Sequence, residues 1–296
     1  MLNCNKLLII YNSNAMKGKV EDYLPRIKER LSLRYSVVDS IAVSQNFMAE
    51  EIAYKSANKY DVIVSLGSDG TLHYVVNGVK KSGFEPIIAV LPYGTCNDVA
   101  KTLKIPFKLN KAIDTILRLN TINYDLMYDG DNYIVHTLAT GYLISPPSSA
   151  SPDDKQRFKG VVNAASGIKS AFKPKAFPLT VTCDKEYIRD KAVYFMLING
   201  ETANGRRVNP NARLENRKTY MVLVKKRNKF FSLITFIKLF MFGIKSIRKS
   251  KSTIIRECSQ IEIENHSNIP FTIDGEKVKF LKKHIDVKQS VRMVVR

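Results

Sequence analysis

The chain has 296 residues and an apolar content of 45%, which suits two packed cores and excludes a disordered or low-complexity protein. Its formal net charge of +20 makes phosphates and acidic surfaces natural partners. No stretch approaches the roughly 18 uninterrupted apolar residues that read as a membrane-spanning helix.

The first apolar run, residues 7–11, has little positive charge ahead of it and reads as a buried strand, not a secretory leader. Apolar runs then alternate with helical periodicity: helix 20–31, strand 35–38, helix 48–58, strand 61–65. Two more units follow, each a strand, a glycine-containing turn and a helix. The first turn is Leu66-Gly67-Ser68-Asp69-Gly70-Thr71; the second is Leu91-Pro92-Tyr93-Gly94-Thr95-Cys96-Asn97-Asp98. This βα repetition predicts a parallel, three-layer α/β domain over residues 1–128. In such a sheet both turns lie at the carboxyl ends of the strands, where ligands bind.

Glycine lets the backbone approach a ligand closely, and a helix that starts after the turn directs unpaired N–H groups at anions. Each turn also carries an aspartate, Asp69 and Asp98. Carboxylates beside a phosphate repel it unless a hard cation lies between them, so the pair points to a metal–nucleotide site. The blander reading is an ordinary strand-to-helix connection, with Asn97 or Asp98 serving as a helix N-cap.

After residue 129 the texture changes. Runs at 133–138, 179–183, 193–198, 220–224, 261–263 and 291–295 predict an antiparallel β-sandwich over residues 129–296, with the last residues able to return to the first domain. Residues 146–152 read as a loop, either a lid or a linker. Cys4, Cys96, Cys183 and Cys258 show neither a CxxC pair nor a metal spacing, and are expected as free thiols in a reducing cytosol, with Cys96 open to alkylation.

Charge divides the halves. Residues 1–128 hold 16 Lys and Arg against 12 Asp and Glu, and residues 129–296 hold 31 against 15, giving +4 and +16. Residues 217–256 contain 12 basic residues and no acidic one, interleaved with large apolar side chains. The spacing Phe230, Leu233 or Ile234, Ile237, Met241, Ile244 predicts one helix with an apolar stripe, and Lys238, Lys245 and Lys249 recur on another face. Such a helix either docks on anionic lipid or packs on the sandwich with a solvated basic face.

The blocks GSDGTLHYVVNGV (67–79) and LPYGTCNDVAKTLKIP (91–106) resemble the diacylglycerol kinase catalytic domain in its bacterial soluble lipid-kinase branch. Asp125, in Tyr124-Asp125-Leu126, and the block Ile273-Asp274-Gly275-Glu276 fall in the family's order. The first turn alone would also fit NAD kinases or phosphofructokinases, whose α/β nucleotide domain has the same architecture. The resemblance implies that Gly67, Asp69, Gly70, Thr71, Gly94, Thr95 and Asn97 hold ATP, that Asn12 belongs to the first nucleotide-side turn, and that Lys17 or Lys19 reaches a phosphate. It also implies a magnesium network on Asp69, Asp98 and Asp125, with Asp274 as general base and Glu276 beside it.

There are departures. Ser68 replaces a usual glycine, Tyr74 a usual glutamate and His136 a usual asparagine, while Glu215-Asn216-Arg217 replaces an acidic turn that often carries a structural metal. The resemblance thus implies a cytoplasmic, ATP- and Mg²⁺-dependent lipid kinase, associated with the inner face of an anionic membrane. Diacylglycerol is the leading acceptor, with a polyprenol, a sphingoid base or a monoacylglycerol as alternatives. An inactive lipid-sensing relative is a further reading. A nucleic-acid-binding module would explain the basic half but not the ordered acidic set, so no specific nucleic acid is expected. Assembly stays open, a homodimer included.

Overall fold

The computed structural model describes residues 4–141 and 176–296; residues 146–152, expected as a loop, lie outside them. The chain divides into two compact units, residues 1–126 with 289–296, and residues 127–288.

The first unit alternates strand and helix: β1 Lys6–Asn12, α1 Val20–Leu31, β2 Val37–Val43, α2 Met48–Ser56, β3 Val62–Gly67, α3 Asp69–Ser82, β4 Ile87–Pro92, α4 Asp98–Thr102 and α5 Leu109–Arg118. Every residue of β3 and β4 is buried, as expected of parallel strands covered on both faces. Helix α1 packs with α5 and α2 with α3. The parallel order is β2-β1-β3-β4. The chain steps out from β1 to β2 and returns past β1 to β3, so the loops after β1 and β3 diverge and leave a crevice at the carboxyl ends of these strands. Met293, from the final strand, pairs in parallel with Ile88 of β4.

The second unit is antiparallel. Its principal strands are β7 Thr137–Gly141, β8 Phe177–Cys183, β9 Glu186–Ile198, β12 Thr219–Lys225, β13 Thr253–Cys258, β14 Gln260–Asn265, β15 Phe271–Ile273, β16 Glu276–Val278 and β17 Lys282–Val294. Three short pieces, β6 Tyr133–Ile134, β10 Thr202–Ala203 and β11 Arg206–Arg207, and two helices, α6 Lys229–Phe242 and α7 Ile244–Ile247, complete the elements after β5 Thr121–Tyr128. Long β9 pairs with β7, β8 and β12, while β14 pairs with β8 and with residues 282–286 of β17.

Period-2 alternation sends Phe195, Leu197, Met221 and Leu223 into a core with Leu179, Ile261, Phe271 and Ile285. The opposite faces of β9 and β12 send Tyr194, Met196, Ile198, Val222 and Val224 to a second cluster, closed by Leu239 of α6 and Ile244 and Ile247 of α7. Both faces of these strands are covered, which explains why 193–198 and 220–224 read as continuous apolar runs.

Three expectations are corrected. Cys183 and Cys258 form a disulfide with Cα atoms 5.6 Å apart, leaving Cys4 and Cys96 as the free cysteines. Their sequence separation of 75 conveys nothing about pairing; strand adjacency does, because Cys183 ends β8 opposite Ile261, three residues beyond Cys258. The run 133–138 is divided, since residues 135–136 leave the strand ladder to bind a carboxylate described below. The single basic helix past residue 242 is broken at Gly243, whose φ of 75° ends α6 and where a Cβ would lie 2.7 Å from the Val208 carbonyl.

Candidate functional site

Four strand ends of the first unit converge. Asn12 closes β1, and its amide donates to Asn46 Oδ1 at 2.8 Å while its own Oδ1 accepts the Asn14 N–H at 2.8 Å. Asn46, in the loop after β2, also accepts the Thr71 hydroxyl at 2.8 Å. One asparagine therefore ties the ends of β1 and β2 to the turn after β3. A Cβ on Gly70 would lie 3.0 Å from the Asn46 amide nitrogen, so glycine keeps that approach open.

The two glycine turns interlock. A Cβ on Gly94 would lie 2.5 Å from Ser68 Cα, a separation that only glycine permits. The Tyr93 N–H donates to the Gly67 carbonyl at 3.0 Å, and Val99 N–H donates to Asp69 Oδ1 at 3.2 Å. Asn97 adopts φ 49° and uses both ends of its amide on Gly94, accepting the Gly94 N–H and donating to its carbonyl, each at 2.8 Å. Asn97 precedes α4 but makes no side-chain cap; it closes the turn instead. Thr95 stands exposed at the tip of this turn.

Ser68 has φ −93° and ψ 174°, extended backbone open to any residue, so the missing glycine costs the turn no strain. Helix α3 then starts at Asp69 and runs for 14 residues, directing its first N–H groups at the crevice. Tyr74 lies within this helix, half-buried against His73.

Asp98 is buried at the start of α4, and Asp125 is buried on β5. Burial, then the charges of Asp98 and Asp69, push the Cys96 thiol up to about 11. Both carboxylates therefore act on one corner of the site, and Cys96 is a weaker nucleophile than its place in the turn suggested. Among the described residues no group of three or more His, Cys, Asp or Glu side chains could hold a metal, so Asp69, Asp98 and Asp125 do not make a preformed cage. Lys19 is exposed at the start of α1.

In the second unit, Asp274 and Gly275 form the two-residue turn between β15 and β16, with φ of 47° and 97°. Positive φ at both positions is the mark of a type I′ hairpin, for which Asp-Gly is a favoured pair. The Asp274 carboxylate accepts three backbone N–H groups: Val135 on Oδ2 at 2.8 Å, and His136 and Thr137 on Oδ1 at 2.9 and 2.8 Å. Its own N–H donates to the Thr137 carbonyl at 2.9 Å. Glu276, two residues on, is exposed.

His136 is buried, with Nε2 2.6 Å from the Thr202 carbonyl. A carbonyl only accepts, so Nε2 carries the proton. Glu215 is exposed, and Asp129 is paired with Lys283 at 2.9 Å.

Residues 6–128 match the sequence profile of the diacylglycerol kinase catalytic domain. A diacylglycerol kinase of Staphylococcus haemolyticus is 25% identical over 94% of this chain and 86% of its own length. One from Staphylococcus aureus strain MRSA252 is 26% identical over 94% and 90%. Among solved structures, a candidate diacylglycerol kinase of Bacillus anthracis superposes with a TM-score of 0.87 at 20% identity, covering 100% of this chain and 97% of that one. At that identity the superposition establishes the fold alone.

Proposed function

We propose that this protein, whose residues 6–128 match the sequence profile of the diacylglycerol kinase catalytic domain, is an ATP-dependent lipid kinase acting on a lipid hydroxyl at an anionic bilayer. Diacylglycerol, giving phosphatidic acid, is the leading acceptor. The observation that carries this reading is the pair of interlocked turns at residues 67–71 and 94–98, where glycine-permitted contact leaves backbone N–H groups and a helix start at the carboxyl edge of a parallel sheet.

Phosphoryl transfer asks for positioning and charge neutralisation more than for covalent chemistry. In this reading Gly67, Gly70, Thr71, Gly94 and Thr95 cradle the phosphates of ATP, while Asn12 and Asn97 keep the turns in shape. Magnesium commonly takes one or two carboxylates and fills its remaining positions with phosphate and water oxygens. Asp69 and Asp98, two hard oxygen donors acting on one corner, fit that demand, and Asp125 would complete the set. The ion would neutralise charge on the transferring phosphoryl group. Asp274, oriented by three backbone donors, would take the proton of the lipid hydroxyl, with Glu276 nearby in sequence to place water.

The test is labelled-phosphate transfer from ATP to diacylglycerol in anionic mixed micelles with magnesium, wild type beside Asp274→Asn. Transfer by the wild type that disappears in a folded variant supports both the reaction and its base. Transfer only to a polyprenol, a sphingoid base or a monoacylglycerol would move the acceptor, and no transfer to any lipid would sink the kinase reading.

A further inference from the structure

Helix α6 is arranged against the habit of a surface helix, which buries its apolar residues and exposes its polar ones. Ser232 and Thr235 are buried beside Leu239. Their hydroxyls are satisfied within the fold: Ser232 accepts the Arg227 N–H at 3.4 Å, and Thr235 lies 3.2 Å from the Ser252 hydroxyl. Phe236 packs edge-on against Tyr194. Outward, Phe231 is 58% exposed, Ile237 43%, Met241 57% and Phe242 70%. With Lys238, these positions span about 140° of the helix circumference at 100° per residue. The predicted stripe through Ile237 and Met241 therefore faces solvent, and Lys238 shares its arc. Large apolar side chains exposed together on one arc mark an interaction site.

Charge identifies the occupant. Residues 217–256 contain 12 basic residues and no acidic one. Lys238 lies on the helix, while Lys245, Arg248 and Lys249 are exposed just beyond Gly243, and the Arg206 guanidinium lies 3.6 Å from the Met241 sulfur. Another copy of this chain would bring its own cations against these. An anionic lipid surface satisfies both features, accepting aromatic and aliphatic side chains below the headgroups and cations among the phosphates. At about 21 Å, α6 is too short to span a bilayer and would lie in the interface plane.

We propose that the outward face of α6, with the basic fringe of α7 and the segment after it, is the docking surface for an anionic bilayer. The proposal deepens the lipid-kinase reading by naming the surface that brings the protein to its substrate, but its test uses neither ATP nor acceptor lipid. Flotation is measured with vesicles of phosphatidylglycerol in phosphatidylcholine and of phosphatidylcholine alone, both without diacylglycerol. Wild type should float with the anionic vesicles and bind them at least tenfold more tightly than the neutral ones. The pair Met241→Ser and Phe242→Ser, and separately Lys245→Glu and Lys249→Glu, should each lose about tenfold or more. The lysine pair is solvent-exposed and guards against a folding artefact.

Phosphoryl transfer to a short-chain, monomeric diacylglycerol should be unchanged in both pairs. If wild type floats but transfers nothing, the kinase reading falls and the docking surface stands. Variants that float like wild type, or a wild-type protein that ignores anionic vesicles, would overturn the proposal. So would a lipid-free dimer that the Met241/Phe242 pair dissociates, since a second copy would then cover the helix.

Discussion

Two carboxylates, Asp69 and Asp274, are each placed by backbone, but by different constructions. Asp69 stands at the start of a 14-residue helix, in a turn held by neighbours from other strand ends: Asn46 through Thr71, Gly94 against Ser68, Val99 on its own oxygen. Asp274 stands at the tip of a two-residue hairpin turn and is clamped by three consecutive backbone N–H groups about 138 residues away in sequence. The first site is a set of loops made to fit each other, to which the proposed function assigns a ligand of many oxygens. The second is one side chain fixed in one orientation, which suits a group whose task concerns a single proton.

The comparison is broken most directly at Asp274. Asp274→Asn should lower phosphoryl transfer by roughly 10²- to 10⁴-fold, the usual contribution of a positioned general base, while ATP affinity stays near wild type. An amide can accept on one side only, so the Val135, His136 and Thr137 donors cannot all be met, and the second unit should lose about 1–3 kcal/mol in a denaturant titration. Strong residual transfer would move the base elsewhere.

Gly94→Ala acts on the other side. Its Cβ would fall 2.5 Å from Ser68 Cα, so the two turns must part. Nucleotide affinity by calorimetry should drop about tenfold, with a stability loss of about 1–3 kcal/mol. An unaltered affinity would show that the interlock does not shape the cradle. Asn46→Ala should cost about 1–2 kcal/mol, because Asn12 and Thr71 lose their shared acceptor, and should weaken ATP binding a few-fold. If stability is unmoved, the strand ends are held independently.

Ser68→Gly should change stability by no more than about 0.5 kcal/mol, since φ −93° makes no demand for glycine; a large gain would reveal strain in the turn. The smallest effect concerns Cys96. In a Cys4→Ser background its alkylation by iodoacetamide should be slow at pH 8 and accelerate as pH rises toward the thiol's value of about 11. Asp69→Asn removes a charge that raises that value, so the same rate should be reached at lower pH.

What could be read from the chain is what short stretches encode. Helix 20–31 follows from periodicity, and the glycine turns announce themselves because turn chemistry occupies short continuous stretches, 66–71 and 91–98. Asn46 could not be found this way. In Ser44-Gln45-Asn46-Phe47 it resembles any polar loop residue, and acts only because the topology brings the end of β2 beside β1. The strand read at 35–38 runs over Val37–Val43 in the fold, and only that extension puts Asn46 just past a strand end at the same sheet edge as the two turns. The three donors to Asp274 are equally silent, being backbone, and the disulfide depends on which strands become neighbours. For α6 the apolar residues were legible but their direction was not. That depends on Gly243 fitting under Val208 and on Phe236 meeting Tyr194.

The last strand, β17, carries an implication for how the molecule is made. Residues 282–286 pair with β14 in the second unit, whereas Met293 lies beside β4 in the first. A nascent chain that has emerged as far as Leu126 therefore holds the glycine turns and four parallel strands, but β4 still lacks its final neighbour. At about 5–20 residues per second, some 10–30 seconds of translation pass before residues 289–296 arrive. Through that interval the flank of β4 is an open template for strand addition.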